Sequence, residues 1–259
     1  MSAIFLAVCG NFMINVSNED RAKSLILSAR LSAVAAYVRT GSAVADIGCD
    51  HSLLCVKLAL DKTSRRIAAC DIADGPIEKA RRCVEKYGLE HIITVIKTDG
   101  LNGLETFSPD DIIIAGMGGE LIRDIIEASD YAKKHGVNLI LQPMTKSASL
   151  RNYLAEEGFE IDRETLVKDG AGGRIYEVMR CFYNGESYAL SDAEALIGAY
   201  NIKNSSPLLC EYAKKRAGVL LKKINGMKRA GLDTTREAAL YDKLKSLELT
   251  NGLSNGDCT

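Results

Sequence analysis

Val44-Ala45-Asp46-Ile47-Gly48-Cys49-Asp50-His51-Ser52-Leu53-Leu54 is a short apolar run that ends in an acid, turns on a glycine and opens a second apolar run. That order predicts a buried strand, a tight turn and the start of a helix. Asp71 ends the next apolar run and Asp99 the one after it. Three strands that each bring a carboxylate to one edge of a parallel sheet outline a nucleoside-shaped pocket at their carboxyl ends.

Working outward, strands are expected over residues 43–47, 66–71, 92–98, 111–115 and 137–142, and helices between them over 52–60, 76–87, 120–129 and 147–157. Such alternation builds βαβ units and a parallel sheet covered on both faces. Ahead of it, Leu27, Leu31, Val34 and Val38 recur at helical spacing and predict a helix over 23–39 that leaves Arg30 and Arg39 available to solvent or ligand. After Gly158 the pattern changes. Two strand-like runs, 159–167 and 174–183, are joined by a loop holding Gly170, Gly172 and Gly173 with no helix between them, which means an antiparallel pair. From Ser191 the chain turns helical, with Leu208, Leu209, Tyr212, Leu220, Leu221 and Ile224 in one segment, Leu240, Leu244 and Leu247 in the next, and Gly231-Leu232-Asp233 separating them.

The fold class expected is therefore α/β, a Rossmann-like parallel sheet ending in an antiparallel hairpin, an ending that by analogy resembles the class I methyltransferase sheet, plus a C-terminal α-helical domain that resembles a coiled coil. The divisions fall at 1–22 (extension), 23–184 (sheet domain), 185–250 (helical domain) and 251–259 (disordered tail).

Composition narrows the function classes. With 259 residues, 47% hydrophobic and 26% charged, the chain can bury a sizeable core, and a net charge of -1 gives no overall attraction to a polyanion. Nucleic acid would have to be met by a local patch. Eight cysteines without a Cys-x-x-Cys pair, and three scattered histidines, point to reduced buried thiols in the cytoplasm and away from a metal site. No run is long enough to span a membrane. The apolar start lacks a cationic leader, so a signal peptide is disfavoured, and Met13 is an alternative first residue to Met1.

Gly48 lets a ligand approach the backbone, and the amides that open the following helix favour an electron-rich group. A dinucleotide loop would carry Gly-x-Gly-x-x-Gly, but Gly48 is followed by Cys49, Asp50, His51, Ser52 and Leu53. Asp46 and Asp50 would repel a pyrophosphate and attract the sulfonium and ammonium of S-adenosylmethionine. Asp71, followed by Ile72, is placed to accept from the ribose hydroxyls, and Asp99-Gly100 from an adenine amino group. Gly116-Met117-Gly118-Gly119 follows the fourth strand of the sheet, where backbone bordering the reactive methyl and tight helix packing both explain the glycines. After the fifth strand, Pro143 holds Gln142 extended, either to aim its amide at a substrate base or simply to close the strand. Arg30, Arg39, Lys146, Arg151, Lys214, Lys215 and Arg216 are the candidate phosphate contacts, although lysine-rich helix faces are often only solvated. Tyr37, Phe107, Tyr131 and Tyr153 are the candidates for stacking on a base, with core packing as the competing role.

With these motifs the chain resembles the TrmK family of bacterial methyltransferases that act on N1 of adenine 22 in tRNA. The likeness rests on Leu27-Ser28-Ala29-Arg30-Leu31, Asp46-Ile47-Gly48-Cys49-Asp50-His51, Ala115-Gly116-Met117-Gly118-Gly119, Leu141-Gln142-Pro143 and Gly173-Arg174-Ile175-Tyr176-Glu177. Two positions depart from the family pattern: Cys55 stands where members often have proline, and Met144 where many have asparagine. The resemblance implies S-adenosylmethionine as cofactor, tRNA as partner, and in-line methyl transfer with Asp50, Gln142 and Pro143 beside the reacting atoms. It further implies a cofactor site at Asp46, Gly48, Cys49, Asp50, His51, Asp71, Ile72, Asp99, Gly100, Gly116, Met117 and Gly118. A methyltransferase acting on another RNA position or a small molecule, a nicotinamide-dependent oxidoreductase and a non-enzymatic nucleoside-binding protein are the alternatives.

Overall fold

The computed structural model describes residues 25–170 and 173–250, together with the backbone of two strands, β1 (Leu6–Cys9) and β2 (Phe12–Asn15), which pair antiparallel. The remainder of the 1–22 extension and the 251–259 tail lie outside the described residues.

The apolar run ahead of Gly48 forms β3 (Ser42–Ile47), every residue of which is buried. It sits in a seven-stranded sheet with β4 (Ser64–Asp71), β5 (Ile93–Lys97), β6 (Asp111–Gly118), β7 (Asn138–Thr145), β8 (Phe159–Lys168) and β9 (Ile175–Tyr183), in the order β5-β4-β3-β6-β7-β9-β8. Strands β3 to β7 are parallel, while β9 runs antiparallel to both β7 and β8. The expected parallel sheet finished by a hairpin is what forms. Because β3, β6 and β7 carry continuous apolar runs, side chains of alternate parity fill opposite faces. Val44, Ile113 and Ile140 join one core cluster, and Ala45, Ile112, Ile114 and Leu139 the other.

Helices cover both faces: α1 (Ala29–Ala35), α2 (Leu53–Leu60), α3 (Asp74–Tyr87), α4 (Gly119–Glu127) and α5 (Ser147–Glu156). The helix expected over 23–39 is shorter than its apolar pattern. Ser28 caps it by accepting from the Leu31 amide, and the chain leaves it after Ala35. Arg39 is then held by Asp111, to which it donates from both its backbone amide and Nε, the latter at 2.7 Å.

The C-terminal part consists of α6 (Asp192–Ile197), α7 (Ala199–Lys203), α8 (Leu209–Arg229) and α9 (Thr235–Thr250). A third core cluster joins α8 residues Leu209, Tyr212 and Ala213 and α9 residues Leu244 and Leu247 to Leu166 of β8 and Ile175 of β9. The helices are thereby fastened to the hairpin end of the sheet.

Candidate active site

The strand order reverses beside β3: the chain proceeds outward through β4 and β5 and returns to the other side as β6. At the carboxyl ends of β3 and β6, the switch point where open α/β sheets bind ligands, lies a cavity of about 300 Å³. Its wall includes Asp46, Gly48, Cys49, Asp50, His51 and Gly116 from the expected cofactor set, joined by Arg30 and Leu31 of α1, Leu53 and Leu54 of α2, and Ala115.

Asp46 is buried and accepts a hydrogen bond from Cys55 Sγ at 3.2 Å. Burial pushes its carboxyl up to about 6, opposed by the Cys55 hydrogen bond and reinforced by the charge of Asp71. Among the described residues no cation is paired with it. Asp50 sits in the left-handed region with a φ of 41°, which turns its carboxylate outward at the mouth of the cavity. Its oxygens lie 3.5 Å from His51 Nε2 and 3.7 Å from Lys79 Nζ. Gly48 adopts a φ of 75°, and the Met117 methyl occupies the space where a side chain at Gly48 would begin. The left-handed φ is what favours glycine there, since the Met117 methyl is the end of a flexible side chain that could move aside.

The remaining expected cofactor residues do not line this cavity. Asp71 ends β4 and accepts from the Ala73 amide at 3.0 Å, with Ile72 exposed beside it. Asp99 and Gly100 line a neighbouring cavity of about 230 Å³ together with Asp124 and Ile125 of α4. Met117 covers Gly48, and Gly118 packs against Thr145. Gly119 has a packing reason: a side chain on it would collide with the carbonyls of Thr145 and Lys146.

Gln142 is placed differently from the expectation. It is fully buried, and its Oε1 accepts from Arg30 Nη1 at 2.7 Å and from the Gly116 amide at 3.2 Å, while Nε2 donates to the Pro143 carbonyl. Nε2 also donates to Met144 Sδ at 3.7 Å, so the amide points inward, fixes Arg30 in the cavity wall and keeps no free donor for a substrate base.

The candidate phosphate contacts separate into two groups. Lys146, Lys215 and Arg216 line a second, larger cleft of about 470 Å³, between the end of β7 and helix α8, whose wall also includes Pro143 and Met144. Lys214 is exposed on α8. Arg39 lies at the opposite end of the sheet, bound to Asp111, and so stands away from both cavities. Arg151 is 1% exposed and cannot reach RNA: its Nε donates to Glu164 and its Nη2 to Glu177, both at 2.7 Å, and its Nη1 to the Ala195 carbonyl. The period of α5 places Arg151 on the inner face, but an arginine in sequence does not announce two buried carboxylates on β8 and β9.

Among the aromatic candidates, Tyr37 and Tyr131 are buried in the core, Phe107 lies under Arg66, and Tyr153 packs against the core. Two other aromatics line the cleft, Tyr176 and the buried Tyr212, and of these Tyr176, which none of those choices included, is the more exposed. A signal was present: it alternates with the inward Ile175 at the start of a strand paired to the β7 edge.

The model of a family described as a methyltransferase domain matches residues 27–179. Over 156 residues the chain is 40% identical to the tRNA (adenine(22)-N(1))-methyltransferase of Bacillus subtilis, a stretch covering 60% of the chain and 64% of that relative's length. The solved structure of Bacillus subtilis TrmK superposes with a TM-score of 0.71 at 30% identity, covering 86% of this chain and 96% of that one. A Streptococcus pneumoniae protein solved in complex with S-adenosyl-L-methionine gives a TM-score of 0.74 at 29% identity, covering 86% of this chain and 100% of that one.

Proposed function

Because the chain belongs to the methyltransferase-domain family, and within it to the TrmK family, we propose that it methylates N1 of an adenine in tRNA, at position 22, using S-adenosylmethionine. The observation that carries this reading is Asp46: a buried carboxylate without a cationic partner, in the wall of a cavity at the switch point. A cationic ligand complements it, whereas a pyrophosphate is repelled. Arg30, fixed by Gln142 in the same wall, supplies one cation for a carboxylate, so the cavity suits a molecule carrying both signs of charge.

The cofactor supplies an electrophilic methyl on a cationic sulfur, which adenine N1, already a lone-pair nucleophile, displaces in line. The protein's task is then placement. Holding the reactants in a near-attack geometry contributes about 7–11 kcal/mol to lowering the barrier. Asp46 and Asp50 hold positive charge on the cofactor side, and Asp71 the ribose hydroxyls. Asp50, exposed at the mouth of the cavity, is the carboxylate placed to stabilise the cationic adenine product or to take a proton from its N6. Pro143 and the Gln142–Arg30 pair shape the wall between the cavity and the larger cleft, where Lys146, Lys215 and Arg216 meet the RNA backbone. N1 lies on the pairing edge, so the base must be unpaired or extruded. The free thiols at Cys49, Cys55, Cys70, Cys83 and Cys181 suit a cytoplasmic site of action.

The test is incubation with labelled cofactor and bulk tRNA, followed by mapping of the product by reverse-transcription stops. A stop one nucleotide before adenine 22 is expected, since N1 methylation blocks pairing. Label at another position would overturn the site, and no label in tRNA would overturn the substrate.

A further inference from the structure

We propose that Tyr176 is the platform on which the target adenine lies, and that Arg174 and Lys215 grip the phosphates flanking it in the cleft beneath α8. This deepens the tRNA reading above and rests on it. A base that must present N1 along a line needs its plane fixed, and an aromatic ring is the usual means of doing so. Neither Gly116 to Gly119, at the end of β6 and the start of α4, nor Gln142 to Thr145, at the end of β7, carries an aromatic residue. The antiparallel course of β9 brings one from the other direction, with Tyr176 arriving opposite the end of β7.

Tyr176 stands at the junction of the two cavities. On the cofactor side, the Arg30 guanidinium lies 5.8 Å from its ring centre, and Arg30 is part of the first cavity's wall. On the cleft side, the Arg174 guanidinium lies 5.5 Å from the same centre. The two cations differ in freedom. Arg30 is tied to the buried Gln142, whereas Arg174 is exposed, held by a hydrogen bond to the Met144 carbonyl. An incoming base therefore takes the place of Arg174 on the outer face of the ring, and the displaced guanidinium is left beside the phosphates.

The charge in the cleft fits that occupant. Among the described residues, Arg174, Lys215 and Arg216 have no carboxylate in ion-pair contact, and Arg216 lies over the Tyr212 ring, 5.4 Å from its centre. The acid in the wall, Glu177, accepts from Arg151 and from Ser147 Oγ beneath the surface and also feels the charge of Arg216, which leaves Arg174 and Lys215 as the cations free for a ligand. A cleft of about 470 Å³ with Arg174 and Lys215 exposed on its wall and the Tyr176 ring beside them suits a single extruded nucleotide and its two phosphates.

The experiment compares Tyr176→Phe, Tyr176→Leu and Lys215→Gln with the wild type, measuring methyl transfer to tRNA, tRNA binding against salt, and cofactor binding by calorimetry. Tyr176→Phe keeps the ring and should retain kcat/KM within about threefold, while Tyr176→Leu should lose about tenfold or more, with cofactor affinity unchanged. Lys215→Gln should flatten the log–log salt dependence of tRNA binding by about one unit and leave cofactor binding intact. Equal losses in the Phe and Leu variants, or none in either, would overturn the platform. If Tyr176→Leu also loses cofactor affinity, Lys215→Gln decides, because an exposed lysine can be changed without disturbing the fold; an unchanged salt slope then overturns the cleft. A wild type that binds and methylates while all variants match it sinks this inference alone, whereas a wild type that neither binds nor methylates tRNA sinks the functional reading with it.

Discussion

At Asp46 burial and function pull in opposite directions. The carboxyl titrates near 6 in the folded protein and about 3.9 in an unfolded chain, so between these values the native state holds the extra proton. Stability without cofactor should therefore be greatest on the acid side of this window and fall as pH rises through 6, by up to about 3 kcal/mol from this group. A cationic ligand reverses the preference, so cofactor binding should tighten as pH rises through 6 and release a proton in that window. Asp46→Asn should remove the pH dependence of calorimetric binding, weaken the cofactor and raise the melting temperature of the free protein at pH 7; a variant with unchanged pH dependence would assign the titration elsewhere. Asp50 faces the other test. Asp50→Asn should lower kcat far more than cofactor affinity, and an unchanged kcat would remove Asp50 from the chemistry. The place of Asp46 in the cavity wall was legible in the sequence, because an acid that ends an apolar run before a glycine turn falls at the carboxyl edge of the sheet. The Cys55 thiol that bonds it was not, since a residue nine positions on, inside an apolar helix, carries no mark of its partner.

At the scale of elements, strands and helices were legible wherever the side-chain period coincided with burial. The continuous apolar runs of β3, β6 and β7 have no competing reading once helices alternate with them, and the loop of glycines after β8 left a hairpin as the sole short connection. The first helix was overextended because Leu27 and Val38 keep its period although the Ser28 cap starts it late and the backbone turns away after Ala35. What binds the elements together was hidden. Arg151 of α5 joins Glu164 of β8 and Glu177 of β9 in a buried cluster. Burial alone would raise the Glu177 carboxyl, but Arg151 and Ser147 outweigh it and hold it below the usual range. That contribution is present at neutral pH and is lost as pH falls through the lowered value. Arg151→Ala leaves two carboxylates unpaired and should cost about 3–5 kcal/mol in urea denaturation at pH 7. In that variant burial leaves the Glu177 carboxyl raised instead of lowered, so its stability should improve on going from pH 7 to pH 5, opposite in sign to the Glu177 contribution in the wild type. A cost that stays the same at both pH values would mean the cluster acts by packing alone.

Across the whole molecule, the helical part and the sheet are one structure in energetic terms. Leu209, Tyr212 and Ala213 cover Leu166 and Ile175, the Ala195 carbonyl accepts from Arg151, and the Tyr200 amide donates to Glu164. Deleting the chain from Ser191 onward would strip apolar cover from β8 and β9 and unpair the buried cluster, so the truncated protein should lose its cooperative unfolding transition along with RNA binding. Charge substitutions on α8 separate the two effects. Lys214, Lys215 and Lys222 are exposed on this helix, and replacing all three with glutamine should leave the melting temperature within a degree or two while weakening tRNA binding. Since the net charge of the chain is only -1, attraction to RNA must come from a local surface, and the exposed lysines of α8 are the proposed one. Each lysine that touches a phosphate contributes about 0.7–0.9 to the slope of log affinity against log salt, so the slope should fall by about two units or more if all three make contact. A slope that does not change would place the RNA on another face of the molecule, and the cleft between β7 and α8 would lose its claim to the substrate.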